Sequence, residues 1–91
     1  MGKNDTKRIA IVTGGASGIG FAIAEKFVKN NITTIIIGRN KEKLNAAKEK
    51  LGALCDTISF DLNELSEIPA LINKLEKKYS KIDILVNNAG I

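Results

Sequence analysis

The sequence predicts an α/β fold built on a parallel sheet, and two observations support this class. Short runs rich in isoleucine and valine alternate along the chain with longer segments in which apolar residues recur at helical spacing. Strands rich in isoleucine and valine and separated by helices are typical of a parallel sheet whose two faces are both covered. Alternating strands and helices of this kind predict a layered α/β domain.

The predicted strands are four apolar runs, and each is followed by polar or glycine residues that are typical of strand-ending turns. They span residues 8–12, 33–37, 55–60 and 82–86. Cys55 opens the third run, where a buried small apolar residue is the expected role.

Three amphipathic segments between the strands are the predicted helices. The first runs from about residue 18 to residue 29 and ends at Asn30-Asn31, because asparagine tolerates a left-handed cap. In the second, Asn40 is the expected N-cap and Gly52 the stop. The third contains Pro69, which a helix accepts only in its first turn.

Right-handed crossovers between these strands favour a Rossmann-type half with strand order 3-2-1-4. In that order the first and fourth strands are neighbours. Their C-terminal ends form the crevice in which ligands of open α/β sheets bind. The residues that follow these two strands are therefore the first candidates for a site.

A glycine-rich turn follows the first strand without a gap. Its spacing is Gly14-x-x-x-Gly18-x-Gly20, which departs from the G-x-G-x-x-G of the general dinucleotide fingerprint. Glycine has no Cβ to hold an anion away from the backbone, and a helix N-terminus offers unpaired N–H groups and a positive dipole end. The turn therefore predicts a phosphate site, and a plain tight turn is the structural alternative.

Three motifs together resemble the short-chain dehydrogenase/reductase family. They are the Thr-Gly-x-x-x-Gly-Ile-Gly loop of residues 13–20, the acidic Asp61 after the third strand, and Asn-Asn-Ala-Gly at 87–90 after the fourth. The similarity extends from residue 8 to residue 91. It implies a nicotinamide dinucleotide cofactor and a parent reaction of hydride transfer between that cofactor and a carbonyl or alcohol substrate.

The resemblance also implies a set of cofactor-binding positions. These are Thr13, Gly14, Ser17, Gly18, Ile19, Gly20, Arg39, Asp61, Leu62, Asn88, Ala89 and Gly90. By this similarity the loop glycines approach the pyrophosphate, while a serine hydroxyl and the backbone N–H of an isoleucine offer contacts. Thr13 could brace the loop, although β-propensity alone would also place a threonine there.

The motifs after the third and fourth strands have implied roles of their own. By resemblance, Asp61 and Leu62 flank the adenine, and the carboxylate accepts from its exocyclic amine. Asn87 and Asn88 tie the fourth strand to its neighbours, and Ala89-Gly90 passes close to the ribose. A solvated or N-capping aspartate and an ordinary strand-ending turn are the structural alternatives.

The end of the second strand bears on the choice of cofactor. NAD-selective Rossmann proteins place there an acidic residue that accepts from the ribose 2′-OH. Here that position is Gly38, 18 residues after Gly20, and Arg39 follows it. Glycine leaves room for a 2′-phosphate and arginine can clamp it, so NADP(H) is favoured over NAD(H). Alternatively, Arg39 stacks on the adenine or lies in solvent.

The family's catalytic residues have no counterpart in these 91 residues. The sole tyrosine, Tyr79, is followed four positions later by Asp83, where the family's pair has lysine. We expect residues 1–91 to be the N-terminal part of a single NAD(P)-binding domain, truncated after the fourth strand and inactive alone. A stand-alone dinucleotide-binding or regulatory module and a non-functional fragment are the alternatives. A downstream sequence encoding Tyr-x-x-x-Lys would favour truncation.

Composition and charge restrict the partners. The net charge of +4 comes from lysines that alternate with acids on helix faces, and only 4% of residues are aromatic. Such a surface favours a solvated helix face over a nucleic-acid site. A single cysteine and the absence of long apolar runs favour a cytoplasmic protein without membrane contact. The fourth strand is expected to be an open edge, through which the chain could self-associate.

Overall fold

The computed structural model describes residues 8–16, 18–61, 64–79 and 81–88. Its strands are β1 (Ile9–Thr13), β2 (Thr33–Gly38), β3 (Cys55–Ser59) and β4 (Ile84–Asn87), and its helices are α1 (Gly18–Lys29), α2 (Lys41–Leu51) and α3 (Ile68–Tyr79). All strand pairs are parallel, and their order in the sheet is β3-β2-β1-β4. The predicted fold class and strand order are confirmed.

The strand bounds differ from the predicted ones by one or two residues. β1 extends to Thr13 because this residue pairs with Ile37 of β2 and with Asn87 of β4. β4 begins at Ile84, two residues later than predicted. Asp83, just before it, still bonds to Ile9, since its N–H donates to the Ile9 carbonyl and its carboxylate accepts from the Ile9 N–H.

The core has two layers, one on each face of the sheet. On one face, Ile9, Ile11, Ile35 and Ile37 pack against Leu71 and Leu75 of α3. On the other face, Val12, Ile36 and Cys55 pack against Ala24 of α1 and against Leu44 and Ala47 of α2. Each fully buried isoleucine contributes about 1.5–3 kcal/mol of transfer free energy. Burial of the strand side chains therefore holds the helices against the two faces of the sheet. The buried, apolar role expected of Cys55 is confirmed, and burial raises the pKa of its thiol.

The helix ends are also those that the sequence predicts. Asn31, after α1, has a φ of 62°, the left-handed conformation expected of a cap. The Asn40 side chain accepts from the Lys43 N–H at 3.0 Å, and Gly52 ends α2 with a φ of 84°. Pro69 is the second residue of α3. Across the described ranges, no helix has the length and apolar character needed to cross a membrane.

Candidate functional site

The turn after β1 is shaped by backbone contacts that only glycine permits. Gly14 and Gly18 have φ angles of 67° and 62°, in the left-handed region that glycine adopts without steric cost. A Cβ on Gly20 would lie 2.3 Å from the Gly14 carbonyl oxygen and 2.8 Å from the Asn88 side-chain nitrogen. The start of α1 therefore packs directly on the first glycine of the turn, and this contact explains the spacing of the motif.

Gly15 is a further glycine that close packing requires, and the sequence analysis missed it. A Cβ there would lie 3.0 Å from Ile36 Cγ2 and 3.1 Å from Val12 Cγ1. The residue is buried over β1 and β2. The sequence analysis missed it because position 15 is not one of the three glycine positions of the motif. The signal that could have found it was its place in the turn, directly after Gly14.

The N-terminus of α1 is accessible. A Cβ on Gly18 would meet nothing within 4 Å, and Ile19 is 73% exposed. No acidic residue lies in the first turn of α1. The positive end of the helix dipole is therefore not neutralised by a carboxylate of that turn, and an anion can approach the backbone N–H groups there.

The ends of β1 and β4 are joined through one buried hydroxyl. Thr13 Oγ1 lies 3.1 Å from Asn87 Oδ1 and 3.3 Å from the Val86 carbonyl oxygen, and it accepts from the Asn88 N–H at 2.9 Å. The Asn88 side chain donates to the Gly14 carbonyl at 3.2 Å. Strand β4 thus supports the glycine turn directly, through the residue after its last paired position.

The ends of β2 and β3 carry the charged residues of the site. The Phe60 N–H donates to the Gly38 carbonyl at 2.8 Å, and the Ser59 hydroxyl lies 3.5 Å from the Arg39 carbonyl oxygen. Arg39 Nη1 lies 3.9 Å from Asp61 Oδ2. The two side chains are 71% and 40% exposed. Sequence reasoning gave them separate roles, and their proximity follows from β2 and β3 ending side by side.

The structure places six of the twelve predicted residues in two groups where the strands end, and Gly18 and Ile19 are exposed at the start of α1. One group contains Thr13, Gly14, Gly20 and Asn88, and the other contains Arg39 and Asp61. Four predicted positions lie outside the described residues. They are Ser17, Leu62, Ala89 and Gly90.

A second polar cluster lies away from this edge, where α3 meets β3. Asp56 accepts from the Tyr79 hydroxyl and from Lys78 Nζ, and the Tyr79 bond is the main cause that lowers the pKa of the carboxyl. Burial, together with the same bond, raises the pKa of Tyr79. The only tyrosine in the chain is therefore held at the side of the sheet rather than at the candidate site.

The fold and this edge define the chain as a Rossmann-type α/β protein with a glycine turn at the end of its first strand. A family model described as short chain dehydrogenase matches residues 8–91. The chain belongs to the short chain dehydrogenase family, as its motifs predicted.

Individual relatives and solved structures also show the similarity to short-chain oxidoreductases. The 3beta-hydroxysteroid dehydrogenase of Mediterraneibacter gnavus is 39% identical, over all of this chain and 34% of that protein. A metagenomic short-chain oxidoreductase solved in complex with NADP is 32% identical with a TM-score of 0.86, covering 92% of this chain and 39% of that one. A variant of actinorhodin polyketide ketoreductase with NADPH is also 32% identical, with a TM-score of 0.83, covering 93% and 34%. The chain spans about a third of the length of the curated relatives it matches.

Proposed function

We propose that this chain is the cofactor-binding portion of an NADP(H)-dependent oxidoreductase. The parent activity would be hydride transfer between NADP(H) and a carbonyl or alcohol substrate. Membership of the family supports this proposal, as do the NADP and NADPH complexes among the similar structures. The observation that carries it is the glycine turn, whose open face lies at the N-terminus of α1.

The residues of the chain fit a pyrophosphate at this turn. The open space beside Gly18 is a cradle that any other side chain would begin to fill, and the helix start offers donors without a competing carboxylate in its first turn. Asn88, which follows β4, holds the turn in place by donating its N–H to the Thr13 hydroxyl at the end of β1 and its side-chain amide to the Gly14 carbonyl. We assign the pyrophosphate to the turn, the ribose to the region after β4, and the adenine to the region of Asp61.

The preference for NADP(H) depends on the end of β2. Gly38 places no carboxylate where a 2′-phosphate would bind, and the exposed Arg39 guanidinium can form charge-assisted hydrogen bonds with one. A bound nicotinamide would supply the hydride chemistry. The side chains of this chain bind and orient the adenosine half, and we expect the 91-residue chain to turn over no substrate alone.

Calorimetry with NADP⁺ and NAD⁺ tests the cofactor assignment. We expect tighter binding of NADP⁺, and Arg39→Ala should remove about 1.5–3 kcal/mol of binding free energy for NADP⁺ while sparing NAD⁺. Gly38→Asp should reverse the preference, because its carboxylate repels the 2′-phosphate. Arg8→Ala is the matched control, since Arg8 precedes β1 at the opposite edge of the sheet. Equal affinities in the wild type would refute the assignment.

A turnover assay tests the other half of the proposal. NADPH consumption with a panel of ketones and aldehydes should not exceed that of a denatured control. A measurable rate above that control would contradict this half of the proposal. The proposal also places the parent protein in the cytoplasm, which localisation of a tagged full-length protein would test.

Self-association through β4 is also part of the proposal. In the described part of the chain, β4 pairs with β1 only, and the Leu85 side chain on it is 62% exposed. Asp83, just before β4, has a carboxylate that accepts from the Ile9 N–H and forms an ion pair with Lys81. Its charge is therefore partly neutralised and opposes pairing of β4 with a second chain less than a lone carboxylate would. An apolar edge of this kind favours pairing with a second chain. Light scattering at micromolar concentrations should detect dimers or larger species, and Leu85→Lys should reduce them. A monodisperse wild-type monomer would contradict this part.

A further inference from the structure

Arg39 and Asp61 are held beside each other by the backbone, not only by their charges. Gly38 and Ser59 are register partners on β2 and β3, and the Phe60 N–H bonds to the Gly38 carbonyl. The Ser59 hydroxyl also reaches the Arg39 carbonyl oxygen. The two strand ends therefore place the backbones of Arg39 and Asp61 at neighbouring positions, from which the guanidinium and the carboxylate can meet.

The ion pair between them is loose enough to exchange. The distance of 3.9 Å is at the long limit for a salt bridge, and both side chains contact solvent. Exposed pairs of this kind are weak, so a better anion can replace the carboxylate. A 2′-phosphate carries more negative charge than a carboxylate and more acceptor oxygens, so it competes for the same guanidinium.

We propose that Asp61 is a positioning residue that acts through Arg39 and limits the preference for a 2′-phosphorylated nucleotide. This inference rests on the proposed function. Asp61 occupies the Arg39 guanidinium when no 2′-phosphate is bound, and its charge remains near that phosphate after the exchange. The preference for NADP(H) over NAD(H) is therefore smaller than Arg39 would give without the charge of Asp61 beside it.

The affinities for adenosine 2′,5′-bisphosphate and for adenosine 5′-monophosphate test this inference on the intact chain. The two probes differ only in the 2′-phosphate, so the ratio of their dissociation constants cancels any change in adenine binding. Asp61→Asn removes the charge but keeps a carbonyl oxygen that can accept a hydrogen bond. We expect it to raise the preference for the bisphosphate by about two- to five-fold.

Three controls separate the role of Asp61 from other causes. Glu64→Gln removes a neighbouring exposed charge and should leave the ratio unchanged. Asp61→Glu keeps the charge and should retain the wild-type ratio. In an Arg39→Ala background, Asp61→Asn should give no gain, because the residue acts through the arginine. The gain in the wild-type background should also shrink as salt rises, since the pair is exposed.

The outcomes distinguish this inference from the function on which it rests. If the wild type binds both probes equally and Arg39→Ala changes nothing, the proposed function and this inference both fail. If Arg39→Ala lowers the ratio but Asp61→Asn leaves it unchanged or lowers it, this inference alone fails. A gain that persists in the Arg39→Ala background would also overturn it.

Discussion

The two halves of the candidate site are built by different physical means. The packed half, at the ends of β1 and β4, consists of Thr13, Gly14, Gly20 and Asn88, and its parts contact one another closely. The exposed half, at the ends of β2 and β3, consists of Gly38, Arg39, Ser59 and Asp61. There the strand ends are tied by two hydrogen bonds, the Arg39 side chain is mostly exposed and the Asp61 side chain is partly exposed.

Because one half is closely packed and the other is exposed, the two halves are expected to determine different properties, stability and cofactor selectivity. In the proposed function the packed half holds a pyrophosphate, which is common to every nicotinamide dinucleotide, so this half can be rigid and made mostly of backbone. The 2′-position is what differs between NAD and NADP, and exposed side chains can change there without disturbing the core. We therefore expect substitutions in the packed half to affect stability first, and substitutions in the exposed half to affect selectivity first.

Gly20→Ala should break the packed half most severely. Its Cβ would lie 2.3 Å from the Gly14 carbonyl oxygen, so the turn or the start of α1 must move. We expect the free energy of unfolding to fall by about 3 kcal/mol or more, measured by urea denaturation. Gly18→Ala separates clash from backbone strain, because its φ is 62° but its Cβ meets open space. It should cost about 1–2 kcal/mol. Equal losses in the two variants would contradict the packing argument.

Thr13→Val should have the next largest effect. The substitution keeps the shape of the side chain but removes the oxygen that accepts from the Asn88 N–H and links β1 to β4. Leaving such partners without their hydrogen bond costs about 1–3 kcal/mol of unfolding free energy. Thr33→Val, at the half-buried start of β2, is the matched control and should be close to neutral. A neutral Thr13→Val would show that the hydroxyl does not hold the two strands together.

Strand β3, which ends in the exposed half, is anchored to α3 away from the site by the Tyr79–Asp56 hydrogen bond, and Tyr79→Phe should weaken this anchor by about 1 kcal/mol at neutral pH. The Tyr79 hydroxyl donates to Asp56 of β3 and lowers its pKa from the ordinary 3.8. A lowered carboxyl pKa contributes stability above the unfolded pKa, and that contribution is lost as the pH falls through the folded pKa.

The pH dependence is therefore the signature of this anchor. The difference in unfolding free energy between wild type and Tyr79→Phe should be full at pH 7 and should narrow as the pH falls below 3.8. Denaturation curves at several pH values measure it. A difference that is constant across this range would assign the loss to packing of the ring edge instead of to the carboxylate.

Gly38→Ala should have the smallest effect on stability. The added Cβ would lie 3.6 Å from Leu44 Cδ2, an ordinary contact, and the glycine does not have a positive φ. We expect a change within about 0.5 kcal/mol, with a slight gain because alanine restricts the unfolded chain. A loss as large as that of Gly20→Ala would show that the exposed half is packed as tightly as the packed half.

The sequence predicted the fold and the packed half better than it predicted the exposed half. Short segments rich in isoleucine and valine, and residues such as Asn40 and Gly52 at helix ends, act locally, so strands, helices and caps could be assigned from them. The spacing of Gly14 and Gly20 likewise reflects one close contact. Gly15 was missed because its requirement comes from Ile36, which belongs to another strand.

The Arg39–Asp61 pair was missed for a similar reason. Residues 22 positions apart meet only because β2 and β3 pair in the register that matches Gly38 with Ser59. The predicted strand bounds were off by one or two residues for the same reason, because pairing with β2 and β4 extends β1 to Thr13. Contacts that depend on the register between strands cannot be predicted from local sequence, because the register is known only once the sheet is assembled.

The hydrogen bonds between β1 and β4 also set an order of events during folding. Asp83 bonds to residue 9 and Asn88 bonds to Thr13, across separations of 74 and 75 positions. At about 5–20 residues per second, the ribosome makes the second partner of each bond about 4–15 s after the first. Strands β1, β2 and β3 can pair through their short crossovers in that interval. The glycine turn gains its Asn88 support only when β4 arrives, so the turn, and with it the proposed phosphate site, is completed at the end of this sequence of events.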